Sequence, residues 1–338
     1  MVACILALGL AQPAPVEPIG AILDAFKTHD VVALSAGEGH DDARGVAFVV
    51  AMISDPRFAP TPIDVVTENA NARFQPVMDR YTRGDEVAFA ELRPVWDDTT
   101  QQEVINPDRF VPDIYRVLRK VNRPLPRERQ HRALLGDPPI DWDAVRSAGD
   151  FRRWLERRDS SPAEVIQREA IAKGRKALVV YGAGHLQRKQ QATNYVMDSA
   201  PAQTLISLLE RAAVTTFIVT TIGERDDTRR WRAPALAVIR GTPIGAEEVP
   251  PLVPTRVAVR PGGAFVPIPK EEWATLRREE QYDAVLYLGP ESTRVTAGPS
   301  SAMCAEPGLV ARHLQRLSLA GAPAPVLDRV RTLCGSTK

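Results

Sequence analysis

Short apolar runs rich in β-branched residues recur along the chain, and each run ends at a turn-forming or ionisable residue. Segments with apolar residues at helical spacing follow them, so strands and helices are predicted to alternate. The strands are predicted at residues 31–35, 63–67, 132–135, 177–181, 214–221, 235–239 and 283–288. This alternation predicts an α/β fold with a mainly parallel sheet covered by helices on both faces.

The helices are predicted from apolar spacing, capping residues and the glycines and prolines that stop them. They are expected at residues 19–28, 42–53, 72–81, 112–121, 151–158, 162–173, 187–197 and 203–212. Pro112 is expected to open its helix, and Ser160 or Ser161 to cap the helix at 162–173. Residues 240–270 are rich in glycine and proline and are predicted to be irregular.

No clean linker divides the chain, so one α/β domain is predicted over residues 19–295. Residues 296–338 are expected to form a C-terminal helical appendage, with helices at 308–319 and 326–333. Residues 1–18 are expected to be a signal segment with a proline-rich lead. The length of 338 residues is consistent with this organisation.

Two strand ends have matching sequences, VVALSAGEGHD at residues 31–41 and KALVVYGAGHL at residues 176–186. In each, an apolar run stops at Gly-x-Gly-His and polar residues follow. The carboxyl ends of parallel strands meet at one edge of a sheet, where α/β proteins bind their ligands. His40 and His185 are therefore expected at the same edge, and the paired units suggest two related halves.

Carboxylates follow the other predicted strands. Glu38 precedes His40, Glu68 follows the second strand and Asp137 follows the third. Strands do not need such groups in order to fold, so a cluster of imidazoles and carboxylates is predicted, suited to metal binding or to metal-free acid–base chemistry. The structural alternatives are that Glu68 caps the following turn and that each histidine only begins a helix.

Several other chemistries are disfavoured. Asp42 and Gln187 stand where a dinucleotide-binding GxGxxG motif has its third glycine, and no P-loop, HExxH or GxSxG sequence occurs. A net charge of +1 gives no general attraction to nucleic acid. His29, His131 and His313 lie in polar, helix-end or loop contexts and are predicted to be surface histidines.

The first residues and the cysteines bear on location. The apolar segment at residues 2–11 is too short to span a bilayer, so no transmembrane span is expected; it resembles the end of a secretory signal, although a basic n-region is missing. Export to the periplasm or outside the cell is expected, with the cytoplasm as the alternative. Cys304 and Cys334 would then close a disulfide loop of about thirty residues; otherwise both remain thiols.

The strand-end residues resemble the signature of a known superfamily. Residues 37–41 (GEGHD), Glu68 and residues 182–185 (GAGH) are similar to the motifs of the EreA/ChaN-like superfamily. It includes erythromycin esterases, haem-binding ChaN lipoproteins and Tiki/TraB proteins, and the resemblance implies a sheet with helices on both faces. Gly39 stands where the esterases typically have threonine, and no further histidine follows His40 as in some ChaN-like proteins. The branch is therefore left open.

Two functions follow from the resemblance and the residues. The first is hydrolysis of an ester, lactone or amide in a small-molecule or peptide substrate. His185 or His40 would be the general base, Glu68 and Glu38 would orient it, and Arg73 and Asp137 would bind substrate. The Tiki-like branch implies a divalent metal, with His40, His185 and Glu68 as its ligands.

The alternative function is binding of haem or of another metal-bearing ligand, as in ChaN, with His40 or His185 as an axial ligand. A haem site needs a broad apolar cleft, but aromatic residues make up only 6% of the chain and few flank the motifs. The hydrolase is therefore favoured. The oligomeric state is left open.

Overall fold

The computed structural model describes residues 12–35, 42–102, 107–189, 203–249, 257–259, 265–267, 276–295 and 306–335. A sheet with the strand order β3-β2-β4-β1-β5-β11-β6 organises them. The strands are β1 (Val31–Leu34), β2 (Ile63–Asn71), β3 (Ala133–Asp137), β4 (Lys176–Val180), β5 (Thr216–Ile222), β6 (Ala235–Val238), β7 (Glu248–Val249), β8 (Val257–Val259), β9 (Phe265–Pro267), β10 (Leu276–Arg277) and β11 (Ala284–Tyr287).

The helices of the described residues lie mainly between these strands. They are α1 (Pro18–Ala25), α2 (Ala43–Ser54), α3 (Gln75–Arg83), α4 (Phe89–Leu92), α5 (Pro94–Asp97), α6 (Pro107–Asn122), α7 (Ala148–Leu155), α8 (Ser160–Glu169), α9 (Leu205–Arg211), α10 (Pro243–Ala246), α11 (Arg278–Gln281), α12 (Pro307–Leu319) and α13 (Ala324–Gly335). Short 3₁₀ turns at Ala72–Phe74, Arg127–Arg129, Trp142–Ala144, Ile171–Lys173, Ala183–Leu186, Thr228–Arg230 and Glu291–Thr293 complete the connections.

The sheet is parallel except at one edge. Strands β3, β2, β4, β1, β5 and β11 run in one direction, and β6 pairs antiparallel with β11. Two short antiparallel pairs, β7 with β10 and β8 with β9, lie outside this sheet. The predicted α/β class with a mainly parallel sheet is confirmed.

The two faces of the sheet support separate apolar cores. In β1, Val32 and Leu34 pack into one core with α1, α2, α3 and α6, while Val31 and Ala33 pack into the other with α8 and α9. Both faces of a central strand are thus buried, which explains why these strands are continuous apolar runs rather than alternating ones. Helices cover both faces, as predicted.

Strand β2 is longer than its sequence predicted, because its end is irregular. Thr67 pairs with Leu135 and Asn71 with Asp137, so four steps along β2 oppose two along β3. The extra residues form a bulge that contains Glu68. Bulges bend a strand and re-aim side chains, and they are common beside active sites. The strand therefore ends at Asn71, not at Thr67.

Several predicted helices differ from the observed ones. Pro112 lies inside α6, because Pro107 opens that helix. Helix α8 begins at Ser160, so Asp159 and not a serine takes the N-cap position. Residues 187–189 are not helical, and the rest of that predicted helix lies outside the described residues. The region predicted to be irregular contains α10 and the short strands β7 to β9.

Two histidines predicted to lie on the surface are buried. His131 is 1% exposed and His313 is 3% exposed. The ring of His131 packs against Phe58, and its Nδ1 lies 2.8 Å from the carbonyl oxygen of Ile63. The prediction was wrong because polar sequence neighbours do not reveal what tertiary packing places over a side chain.

The C-terminal helices α12 and α13 pack against the rest of the protein. Leu309, Leu317 and Val330 are buried, and Ala320 contacts a small core that contains Trp142. Within the described residues, no helix is both long and apolar enough to cross a membrane. Cys304 lies outside the described residues, so the disulfide and the domain boundary at residue 296 stay predictions.

Candidate active site

Strands β3, β2 and β4 are parallel neighbours, so their carboxyl ends meet at one edge. Glu68 lies in the β2 bulge, Asp137 ends β3, and the turn that carries His185 follows β4. The structure places Glu68 and His185 together, with the Nε2 atom of His185 3.4 Å from the Oε1 atom of Glu68. These two residues are far apart in the sequence, and the sheet topology brings them together.

The glycine turn after β4 binds Glu68 and returns His185 toward it. The backbone N–H of Gly182 donates a hydrogen bond to Oε2 of Glu68 at 2.5 Å. A 3₁₀ turn over Ala183–Leu186 follows, with the N–H of His185 donating to the carbonyl oxygen of Gly182 at 3.1 Å. The ring of Tyr181 meets the imidazole edge-on, with centroids 5.7 Å apart. The turn therefore fixes both His185 and its carboxylate partner.

Asp159 orients the imidazole. Its Oδ1 atom lies 2.8 Å from Nδ1 of His185 and also accepts the N–H of Leu205 at 2.7 Å. Asp159 is the N-cap residue of α8 but makes no side-chain cap hydrogen bond there. A carboxylate only accepts hydrogen bonds, so Nδ1 of His185 carries the proton of this contact. The other ring nitrogen, Nε2, faces Glu68.

Arg158 completes a row of alternating charges. Its Nη2 atom lies 2.7 Å from Oε1 of Glu68, and its side chain is 15% exposed while that of Glu68 is 3% exposed. The order is Asp159, His185, Glu68, Arg158, with opposite charges adjacent. Neither Arg158 nor Asp159 was predicted from the sequence, where they lie between two helices far from both GxGH motifs.

The charges in this row set its protonation. Burial raises the pKa of Glu68, but the positive charges of His185 and Arg158 and the Gly182 N–H outweigh it and hold that pKa well below its usual range. Burial lowers the pKa of His185, but the carboxylates of Asp159 and Glu68 outweigh it and raise the pKa to about 10. At neutral pH His185 is therefore an imidazolium, which donates a proton, and this differs from the general-base role predicted from the sequence.

Asp137 has the opposite electrostatic character. Thr100 donates to it twice, from its N–H to Oδ2 at 2.7 Å and from its hydroxyl to Oδ1 at 2.5 Å. Burial and the charge of Glu68 raise the pKa of Asp137 to about 7, against the opposing effects of Thr100 and Arg158. This carboxyl therefore gains and loses its proton near neutral pH.

Gly136 lets the ring of Tyr181 approach the end of β3. A Cβ atom at residue 136 would lie 1.8 Å from the hydroxyl oxygen of Tyr181 and 2.9 Å from the carbonyl oxygen of Thr67. Only glycine fits this position without displacement of its neighbours. The phenol thus occupies the space between the strand that ends at Asp137 and the turn that carries His185.

The other predicted site residues are placed as follows. Arg73 forms an ion pair with Asp141 at 2.6 Å, and its side chain is 49% exposed. Glu38 and His40 lie in the segment 36–41, outside the described residues, so their place in the cluster stays a prediction. Asp42, which follows that segment, caps α2 through the N–H of Arg44.

The described residues do not fit a metal ion. Among them, no three His, Cys, Asp or Glu side chains are arranged to hold one. His185 directs both ring nitrogens at carboxylates, so neither is free to bind iron or another metal. The predicted ligand set of His40, His185 and Glu68 includes a residue outside the described part of the chain.

No family model matches the chain, and no curated protein matches it. The solved structures similar to it include ChaN of Campylobacter jejuni, described with cofacial haem, at 14% identity over 63% of this chain and 89% of that one, with a TM-score of 0.38. A mutant of the erythromycin esterase EreC in its open conformation is 10% identical over 80% and 92%, with a TM-score of 0.42. A Bacillus cereus protein is 11% identical over 82% and 94%, with a TM-score of 0.49.

Proposed function

We propose that this chain is a hydrolase of an ester, lactone or amide, with its proton-transfer groups at the carboxyl edge of the sheet. The observation that carries the proposal is the imidazole of His185, held between Asp159 and Glu68. A histidine oriented through Nδ1 by a carboxylate presents Nε2 for proton transfer. A purely structural turn after β4 would not require this arrangement.

The protonation states divide the roles. Hydrolysis of a carbonyl compound needs a base that removes a proton from water and an acid that gives one to the leaving group. Groups whose pKa values are moved apart by their environments are suited to these two tasks. His185, protonated at neutral pH, is the acid, and Asp137, whose pKa is about 7, is the base. Glu68 stays ionised and holds the imidazolium in place.

Haem or metal ligation by His185 is less well supported. An axial ligand needs a ring nitrogen with a free lone pair, and an imidazolium between two carboxylates has none. Ligation would first require removal of a proton whose pKa the surrounding charges raise to about 10. His40 stays a predicted second participant in the site.

The test is a panel of esters, lactones and amides assayed between pH 5 and pH 11. We expect kcat/KM to rise through about pH 7, as Asp137 ionises, and to fall near pH 10, as His185 loses its proton. Asp137→Asn should lower kcat by about 10²–10⁴-fold and remove the acidic limb. Asp143→Asn, an exposed aspartate six residues further on, is the matched control and should leave both unchanged.

The contrary result is a wild-type protein that turns over no member of the panel yet gives a Soret shift on addition of haemin. An Asp137→Asn protein that keeps its activity and its acidic limb would contradict the assignment of the base, but not hydrolysis itself.

A further inference from the structure

A polar segment beside the candidate site is buried. Residues 97–102 read Asp-Asp-Thr-Thr-Gln-Gln, begin at the last residue of α5 and precede α6. Asp97, Thr99, Thr100, Gln101 and Gln102 are each at most 3% exposed. A buried polar segment needs hydrogen-bond partners to hold it, because unpaired buried polar groups are costly. Its partners therefore show what determines its position.

On its inner side, the segment holds the end of β3. Both hydrogen bonds from Thr100 go to the carboxylate of Asp137. The segment is tied to the sheet by Asn71, whose Nδ2 donates to the carbonyl oxygen of Asp98 at 2.7 Å. Trp142 donates from Nε1 to the carbonyl oxygen of Thr99 at 3.0 Å. Small displacements of the segment therefore act directly on Asp137.

On its outer side, the segment is held by the C-terminal helix α12. Arg316 donates from Nη1 to the carbonyl oxygen of Asp97 at 3.1 Å and lies 2.7 Å from Oδ1 of Asp98. Its guanidinium stacks over the ring of Trp142, 5.1 Å from the centroid, and its side chain is only 11% exposed. One arginine thus binds two segment residues and the tryptophan that supports a third.

A second arginine links the same segment to the start of α12. Arg93 lies 2.6 Å from Asp97 and 2.7 Å from Glu306, the residue before that helix. The C-terminal helix is therefore attached to residues 97–102 at two places, about ten residues apart along the chain. A helical appendage without a role in the site would not need to be joined through its supporting segment.

We infer that α12 is an integral part of the site and that Arg316 is a positioning residue, which holds residues 97–102 so that Thr100 keeps its hydrogen bonds to Asp137. The physical basis is that donors to a carboxylate favour its ionised form. Glu68, which repels the charge of Asp137, and Arg158, which attracts it, are the other charged groups that act on this carboxyl. Loss of Arg316 leaves these two charges in place and loosens residues 97–102, which include Thr100.

This inference goes beyond the proposed function, since it concerns the state of Asp137 whether or not the site hydrolyses anything. Its test is carried out on the full chain labelled with [¹³C]aspartate, by NMR titration of the Asp137 carboxyl, together with hydrogen exchange of the Thr100 amide. Arg316→Met keeps the aliphatic stem against Trp142 but removes the donors. Arg316→Lys restores a charge, and Arg312→Ala, at an exposed position of the same helix, is the matched control.

In Arg316→Met we expect the titration midpoint of Asp137 to rise by about one pH unit or more, as a carboxylate losing donors does. The Thr100 amide should exchange at least about tenfold faster. Arg316→Lys should recover part of both effects, and Arg312→Ala should show neither. A merely structural arginine would lower the melting temperature without moving the midpoint.

A folded Arg316→Met protein with the parent midpoint and the parent exchange rate at Thr100 would overturn the inference. If that variant does not fold, Asp98→Asn, which removes the carboxylate that Arg316 binds, takes its place with the same two readouts. It should change both in the same direction and by less, and parent values in Asp98→Asn overturn the inference equally. Turnover is not needed for either outcome, so failure of the hydrolase proposal is seen separately.

Discussion

Strand β2 carries a buried carboxylate at each of its two ends, and their surroundings differ. Asp64, near the amino end, is fully buried and binds Arg175 through hydrogen bonds of 2.8 and 2.6 Å. Glu68, toward the carboxyl end, is 3% exposed and contacts Arg158 and His185. Both are buried ion pairs of similar length. Burial of a charge alone therefore does not identify a functional site.

What distinguishes the two ends is whether a partner can change its protonation. Arginine keeps its charge in proteins, whereas histidine can gain or lose a proton, so the carboxylates at the two ends have partners of different kinds. At the other end, the carboxylates of Asp159 and Glu68 outweigh burial and raise the pKa of His185 to about 10, while burial raises that of Asp137 to about 7. The amino end is built to hold the sheet together, and the carboxyl end holds protons that can move.

The largest expected effect concerns His185 and the pH dependence of stability. Its pKa is about 10 in the folded protein and 6.5 ordinarily, so its stabilisation is complete below pH 6.5 and is lost as the pH rises toward 10. The loss amounts to at most about 5 kcal/mol, and less to the extent that solvent screens the ring. Denaturant unfolding of the wild type and His185→Gln between pH 6 and pH 10 should show that the variant lacks this slope.

His29, a partly buried histidine just before the amino end of β1, provides the control. His29→Gln should keep the pH dependence of the wild type. If His185→Gln and the wild type lose stability in parallel as the pH rises, the imidazole does not carry a charge between the two carboxylates, and the difference between the two ends of β2 disappears.

The next effect tests the fixed pair. Arg175→Met leaves the charge of Asp64 buried without its partner and should cost about 3–5 kcal/mol in the free energy of unfolding. We expect the same cost at each pH between 6 and 9, because the substitution leaves His185 and Asp137 at the other end of the strand unchanged. Denaturant melts at three pH values measure it, with Arg175→Lys as the milder variant. A cost that varied strongly with pH would contradict the difference between the two ends of β2.

Much of this arrangement could be predicted from the sequence, because it depends on strands that read as apolar runs. The pattern placed Glu68 and His185 at strand ends, and parallel pairing then brings those ends together. The bulge that aims Glu68 could not be predicted, since it depends on the register between β2 and β3. The spacing of apolar residues also does not predict the direction in which the side chain of Asp159 points.

Arg158 and Asp159 also could not be predicted as site residues from the sequence. They lie in the short connection between α7 and α8. The sequence analysis expected Ser160 or Ser161 to cap the second helix, but Asp159 occupies the N-cap position. That expectation considered only contacts within the helix, but the carboxylate of Asp159 contacts His185, 26 residues further along the chain. An acidic residue at a helix start that leaves its own helix uncapped is the signal that points to a distant partner.

The smallest expected effect concerns Asp137, whose substitution should raise the free energy of unfolding, whereas most substitutions lower it. The pKa of this carboxyl is about 7 when folded and 3.8 ordinarily, so the folded protein binds the proton more tightly between these values. Stability therefore falls as the pH rises from about 4 to 7, and the penalty is complete above 7. Asp137→Asn mimics the protonated form, because its amide can donate to the hydroxyl of Thr100 while its oxygen accepts the N–H.

At pH 8 we expect Asp137→Asn to be more stable than the wild type by about 1–2 kcal/mol, and at pH 5 to differ little from it. Paired thermal melts at the two pH values measure this difference, with the exposed Asp143→Asn as the control for loss of a carboxylate. A variant less stable than the wild type at pH 8 would show that the surroundings stabilise the ionised carboxylate of Asp137 and do not penalise it. The carboxyl edge would then resemble the amino edge, with charges that only hold the strands in place.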